Sequence, residues 1–259
     1  MSFDTTALTI IGPGLVAGVL VLATHVPLGR EVLKRGIIFI DLAVAQMAGL
    51  GVIAAGTFGL DAHGIAAQAA AFAAALAGGL LLSWTDKRFG KTQEAIIGVS
   101  FVLAATGGLL LLANDPHGGE ELRDLLVGQI LFADVHTLTP AAVLAAVVLV
   151  SWRIVMRTFG RAGFYLLFAV SVTASVQLVG VYLVFASLMV PALATRSLNA
   201  YALAAGYAIG FTGYLAGLLL SAVYDLPTGA IIVWTLTLAG LAAVPLLARW
   251  RAAAPPVGT

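Results

Sequence analysis

The segment "RGIIFIDLAVAQMAG" (35–49) carries one carboxylate, Asp41, inside a run that is otherwise nearly all apolar. A charge at membrane depth costs several kcal/mol and as a rule faces a bundle interior or a water-filled path, so it marks a functional site by default. One helical turn on from Asp41 stands Ala45, with the amide of Gln46 beside it. A carboxylate with a neighbouring amide can line a cation path or hold a gate. The duller reading pairs Asp41 with Lys34 or Arg35 and lets it snorkel to the headgroups. Glu94 opens the apolar run "QEAIIG", where a helix N-terminus favours an acid whatever its role. Ser171, Thr173, Ser175 and Gln177 pair at i,i+4 spacing on neighbouring faces, which suits interhelical hydrogen bonding or the lining of a pathway.

Other patterns are weaker. "TDKRFGKT" (85–92) ends like a phosphate-binding loop, but Thr85 stands where that loop needs its first glycine, and an apolar helix rather than a strand precedes it. It reads as a basic loop, and the chain has no nucleotide site of its own. The sequence holds no HExxH, no GxSxG and no intramembrane Ser, His and Asp set, which argues against an intramembrane enzyme. With no cysteine, disulfides and thiolate metal sites are excluded. The 4 histidines, His25, His63, His117 and His136, read as span-end or loop residues. The last three share one side with Asp61, Asp115, Glu120, Glu121 and Asp134, a set that could admit a divalent cation or simply be solvated.

The elements that must position these groups follow from composition. Charged residues make up 10% of the chain and mean hydropathy is +1.06, whereas soluble domains carry about 25% charge. Apolar stretches of roughly 20 residues recur from end to end, the signature of an all-α polytopic membrane protein rather than a β-barrel. A net charge of +1 without a basic block argues against nucleic acid. The segment "MSFDTTALTI" lacks a basic region and reads as the start of a first span, not a cleaved signal. Spans are expected near Leu8–Val26, Gly36–Gly56, Gly64–Trp84, Glu94–Leu112 and Leu138–Val155. The block Phe164–Thr195 follows, broken into two short spans near Gln177–Gly180, and then Ala200–Ala222 and Thr228–Leu247. That makes about nine transmembrane helices, with about eight as the alternative, in a single domain over residues 1–259. "GREVLKRG", "DKRFGK", "MRTFGRAG", Arg196 and "ARWRA" hold nearly all the basic residues, which places the N-terminus outside and the C-terminus in the cytoplasm. The stretch "ELRDLLVGQILF" is short and amphipathic, and reads as an external interfacial or re-entrant helix.

In this order the pieces resemble the membrane-spanning permease subunit of bacterial ABC importers for zinc, manganese and iron. "PLGREVLKRGIIFIDLAVAQMAGLG" resembles the family's basic loop and aspartate-bearing helix, and "QEAIIGVSFVLAATGGLLLL" with "LRDLLVGQILFADVHTL" resembles its middle. "SVQLVGVYLVFASLMVPALATR" and "GLLLSAVYDLPTGAIIV" resemble its later helices. The resemblance implies a plasma-membrane permease working as a pair of copies, with a cytoplasmic ATPase and an extracytoplasmic metal-binding protein as partners. The chain itself would bind no cofactor; a divalent metal would be its cargo. Asp41 would lie on the metal path, with Gln46 a weaker candidate. The segment "MVPALATRSLN", breaking at Pro191 and bearing Arg196, would dock into the ATPase. The family's usual histidine one turn after the aspartate is replaced here by Ala45, which moves the expectation from zinc toward a harder ion such as manganese, or toward a different cargo entirely. The rival reading is a stand-alone ion-coupled secondary transporter with Asp41 as its coupling carboxylate. Such transporters are built from inverted repeats, and none is evident in this sequence.

Overall fold

The computed structural model describes residues 5–61, 64–128, 130–198 and 201–253. Among them every regular element is helical: α1 (Thr5–Arg35), α2 (Ile40–Thr57), α3 (Ile65–Phe89), α4 (Gln93–Leu111), α5 (Gly118–Val127), α6 (Val135–Val179), α7 (Val181–Ala194), α8 (Ala202–Tyr224) and α9 (Thr228–Ala253). Six to eight of these segments are long and apolar enough to cross a bilayer. Helices are what a hydrocarbon environment demands, because each satisfies its own peptide groups.

Several boundaries differ from the sequence reading, for physical reasons. The basic loop expected after Val26 is helical as far as Arg35, since Glu31 pairs with Lys34 at 2.8 Å and faces Arg35 at 3.9 Å along the helix surface. Pro27 lies inside that helix. Its missing N–H leaves the Ala23 carbonyl without a helical donor, and the Tyr207 hydroxyl of α8 donates to that oxygen at 3.2 Å. α3 likewise runs past Trp84 to Phe89. The loop expected at 156–163 shrinks to Gly160, whose φ of 53° and ψ of −116° break α6. A Cβ at Gly163 would lie 2.5 Å from the Val155 carbonyl oxygen, whereas residues eight apart in a straight helix are about 12 Å apart. The arms on either side of Gly160 therefore fold back on each other, and Ala141, Ala145 and Val148 line the same pocket as Ser171, Ser175 and Leu178. The second break, expected near Gln177–Gly180, falls at Gly180, φ 78°.

α2 is the hub. It packs against α3, α4, α6 and α7 and buries residues on every side, so it has no lipid stripe of its own. Small residues let its neighbours close in: a Cβ at Gly51 would lie 2.6 Å from the Ala70 carbonyl oxygen of α3. α5 turns one side inward, where Leu125 fills the space beside Gly49 at the middle of α2, while Glu120, Arg123 and Asp124 stay exposed. Both the interfacial and the re-entrant reading of this short amphipathic helix accommodate that arrangement.

The two ends of the bundle are distinct. At one, the ends of α1 and α2, the α3–α4 turn and the Gly160 break come together. Arg35 lies 4.2 Å over the Phe164 ring, and Arg161 meets Asp86 at 3.3 Å. At the other, Gly14 approaches Ile130 and Leu218, Gly128 abuts Val179 and Gly180, and Gly229 reaches Val127. Asp134, at this second end, caps α6 by accepting from the Thr137 amide at 2.9 Å, and that bond holds its carboxyl below the usual range.

Gly180 combines a φ of 78° and ψ of 163°, open essentially to glycine alone, with direct apposition to Gly128. Gly180→Ala is expected to cost about 1–3 kcal/mol through the backbone conformation alone. Thermal unfolding in detergent would register it as a lowered Tm, and an unchanged Tm would show that this turn is not held as described.

Candidate functional site

Asp41 is the second residue of α2 and is completely shielded from solvent. Neither of its carboxylate oxygens has a hydrogen-bond partner among the described residues. The snorkelling arrangement is not present, because Lys34 and Arg35 turn to Glu31 instead. Burying a polar group without a bond is strongly unfavourable. α2 does little to offset this locally: its N-cap, Phe39, has no side chain able to cap the first turn.

Glu94 supplies that cap from another helix. Its Oε1 accepts from the Phe39 amide at 3.1 Å, across 55 residues of sequence. The Glu94 carboxylate therefore lies against the N-terminus of the helix that carries Asp41, where the helix dipole favours negative charge. Its other oxygen, Oε2, is buried without a partner. Next to it in sequence, Gln93 donates through Nε2 to the Leu82 carbonyl at 2.9 Å and to the Tyr165 hydroxyl at 3.3 Å, tying α4 to α3 and α6. Glu94 is thus a positioning residue for α2, a role its sequence neighbours did not disclose because the partner amide is so distant in the chain.

The other sequence candidates scatter. Gln46 is buried at 6% exposure, but five residues on from Asp41 it lies about 140° around α2, on a different face. Gln177 is exposed on the single chain, apart from its buried neighbours. Ser171 does not bond between helices as expected; it donates to the Leu167 carbonyl one turn back at 2.8 Å, satisfying itself within α6. Thr173 Oγ1 is buried with no partner among the described residues. Pro191 does not break α7, which continues to Ala194; the chain leaves the helix at Thr195, whose hydroxyl donates to the Pro191 carbonyl at 2.7 Å. Beyond it Arg196 is exposed on the rim of a groove of about 480 Å³ that runs between α7 and α9, lined by Leu193, Ser197, Gly240 and Leu241.

One histidine departs from expectation. His25 is not a span-end residue: because α1 extends to Arg35, it lies well inside the helix and is fully buried. His117 is exposed, 4.0 Å from Asp115, and His136 is exposed too, while His63 lies outside the described residues. Among the described residues no three His, Cys, Asp or Glu side chains gather to hold a metal ion.

Removing the cross-chain cap tests this geometry. Glu94→Ala is expected to destabilise the protein by about 0.5–2 kcal/mol, the range for a lost helix cap, and Glu94→Gln by less, because its amide oxygen can still accept from Phe39. Equal Tm values for all three proteins would remove Glu94 from this role.

None of the curated proteins matches the sequence. Two solved structures share its fold. PsaBC from Streptococcus pneumoniae, in complex with a Fab, aligns with a TM-score of 0.69 at 20% identity, over 90% of this chain and 90% of that one. A protein described as a metal-chelate type ABC transporter, in an inward-facing conformation, aligns at 0.64 and 16% identity over 97% of this chain and 90% of that one. The sequence model of the ABC 3 transport family matches residues 7–164 and 158–246, nearly the whole chain. A polytopic bundle around an aspartate-bearing hub helix, matched over that length, belongs to the ABC 3 transport family, and the chain is an ABC transporter permease subunit rather than an enzyme.

Proposed function

We propose that the chain is the permease subunit of an ATP-driven importer for a divalent transition metal, manganese, zinc or iron, in a bacterial plasma membrane. The observation that carries this reading is Asp41: a carboxylate enclosed by protein, with both oxygens free of donors from the described residues, at the N-terminal end of the hub helix. A cation is the natural counter-charge for such a group, and oxygen donors suit hard and borderline divalent metals. One carboxylate without a gathered ligand set binds weakly, and weak binding allows an ion to leave as well as enter.

Two copies would enclose the path, with the crossing number near nine, the N-terminus outside and the C-terminus cytoplasmic. The gathering of Arg35, Arg161 and the α3–α4 turn at one end of the bundle supports that orientation. ATP hydrolysis falls to a separate cytoplasmic subunit, which docks at the α7 exit, where Pro191, Arg196 and the groove against α9 offer a rigid helix end beside an exposed cation. An extracytoplasmic binding protein delivers cargo to the opposite end, around the groove of about 460 Å³ lined by Arg123, Val127, Leu131, Pro227 and Thr228. In the closed arrangement described here Asp41 is shielded, so transport requires the helices around α2 to part alternately toward each side.

Proteoliposomes holding the permease and its ATPase, with ATP, test the reading. ATP-dependent uptake of manganese, zinc or iron(II) is expected, with Asp41→Asn lowering it by about tenfold or more, equivalent to losing roughly 1.4 kcal/mol of interaction with the cation. Full uptake by a folded, assembled Asp41→Asn protein contradicts the role of Asp41. Uptake without ATPase that follows a proton gradient contradicts the importer.

A further inference from the structure

A second buried group remains after Asp41 is placed. His25 is wholly enclosed in α1. Its Nδ1 lies 3.0 Å from the Val21 carbonyl oxygen and 3.0 Å from Thr24 Oγ1. A carbonyl can only accept, so Nδ1 carries the proton and donates, which leaves Nε2 as the bare, basic nitrogen. Nε2 is buried and has no hydrogen-bond partner among the described residues. An imidazole whose Nδ1–H is held by a backbone carbonyl, with Nε2 open, has the orientation and tautomer that ligating histidines adopt. A histidine serving only to pack would leave an uncompensated acceptor in the core, which is costly.

The height of His25 follows from helix packing. Thr24 and Val21 share a pocket with Ser171, Ala174 and Ser175 of α6, while Gly79 of α3 abuts Tyr165 and Ala169, and Gly78 abuts Met47 of α2. His25 is therefore slightly nearer the Gly180 end than Met47. Asp41, six residues before Met47, lies toward the Gly160 end. The two bare groups are separated along the bundle by on the order of 10–15 Å, using a rise of about 1.5 Å per residue. That separation is too large for one coordination shell and suits successive stations.

We propose that His25 Nε2 is a transient ligand for the transported divalent cation, a station on the Gly180 side of Asp41 that biases transport toward imidazole-preferring metals such as zinc over manganese. The inference rests on the importer reading and adds a specificity-determining residue to it. A lone imidazole holds an ion briefly, and among the described residues no His, Cys, Asp or Glu set is gathered to trap it.

The test compares wild-type complex with His25→Leu, whose apolar side chain keeps most of the volume, and with His25→Gln, which keeps a polar acceptor. Zinc and manganese are offered together to ATP-energised proteoliposomes after gel filtration and ATPase assays establish assembly. The expected result is a fall of about tenfold in the zinc-to-manganese uptake ratio for His25→Leu, the lower end of the range seen when a metal site loses ligand support, with manganese uptake retained. A direct readout uses Cu2+ as probe in a complex whose His63, His117 and His136 are replaced by Gln, leaving His25 as the permease's sole histidine. Samples frozen during turnover should show imidazole-nitrogen modulation in pulsed EPR, lost with His25→Leu. Metal uptake with an unchanged ratio and no imidazole signal overturns the station while leaving the importer intact. No metal uptake by the wild type overturns both.

Discussion

Within a bilayer core no water waits to receive an unpaired peptide or side-chain group, and that constraint shapes nearly every feature of this protein. The backbone answers it with helices, and where a helix is interrupted the freed group is met from a neighbour. Pro27 strips Ala23 of its donor and Tyr207 provides one; the N-terminus of α2 has no side-chain cap of its own and Glu94 accepts from it. Among the described residues a few buried polar atoms stay without a partner, Glu94 Oε2 and Thr173 Oγ1 among them, and Asp41 and His25 are the ones whose whole side chains are shielded titratable groups.

Asp41 lies on the helix at the hub of the bundle. A helix surrounded by α3, α4, α6 and α7 cannot move alone, so any rearrangement that exposes Asp41 must shift its neighbours together. Glycines along these contacts let the helices approach closely, Gly51 against the Ala70 backbone and Gly49 and Gly78 against the Leu125 and Met47 side chains. The ties that resist such movement lie at the end bearing Arg35 and the Gly160 turn: Arg161 to Asp86, Gln93 to Leu82 and Tyr165, Glu94 to Phe39.

Much of this was legible in the amino-acid order. Hydropathy disclosed an all-helical membrane domain, and the break near Gln177–Gly180 was visible because a block of that length cannot cross once. Asp41 stood out because a charge in an apolar run is rare. His25 was misplaced for a specific reason: "GREVLKR" looks like a loop by charge, yet Glu31 with Lys34 and Arg35 makes it good helix, so the histidine lies deeper than its distance from the charges suggested. The Glu94–Phe39 bond spans 55 residues and no local pattern encodes it. Pro191 misled as well: α7 carries it inside the helix and continues to Ala194 before the chain turns at Thr195.

The central claim is that the bare carboxylate of Asp41 meets the transported metal. The most direct measurement is the anomalous-difference density of the assembled transporter crystallised with manganese and a non-hydrolysable ATP analogue. The account predicts a peak about 2.0–2.5 Å from an Asp41 carboxylate oxygen, the range for metal–oxygen ligation. A well-ordered Asp41 that instead takes a protein hydrogen-bond donor in every conformation captured, with metal density elsewhere, would contradict it.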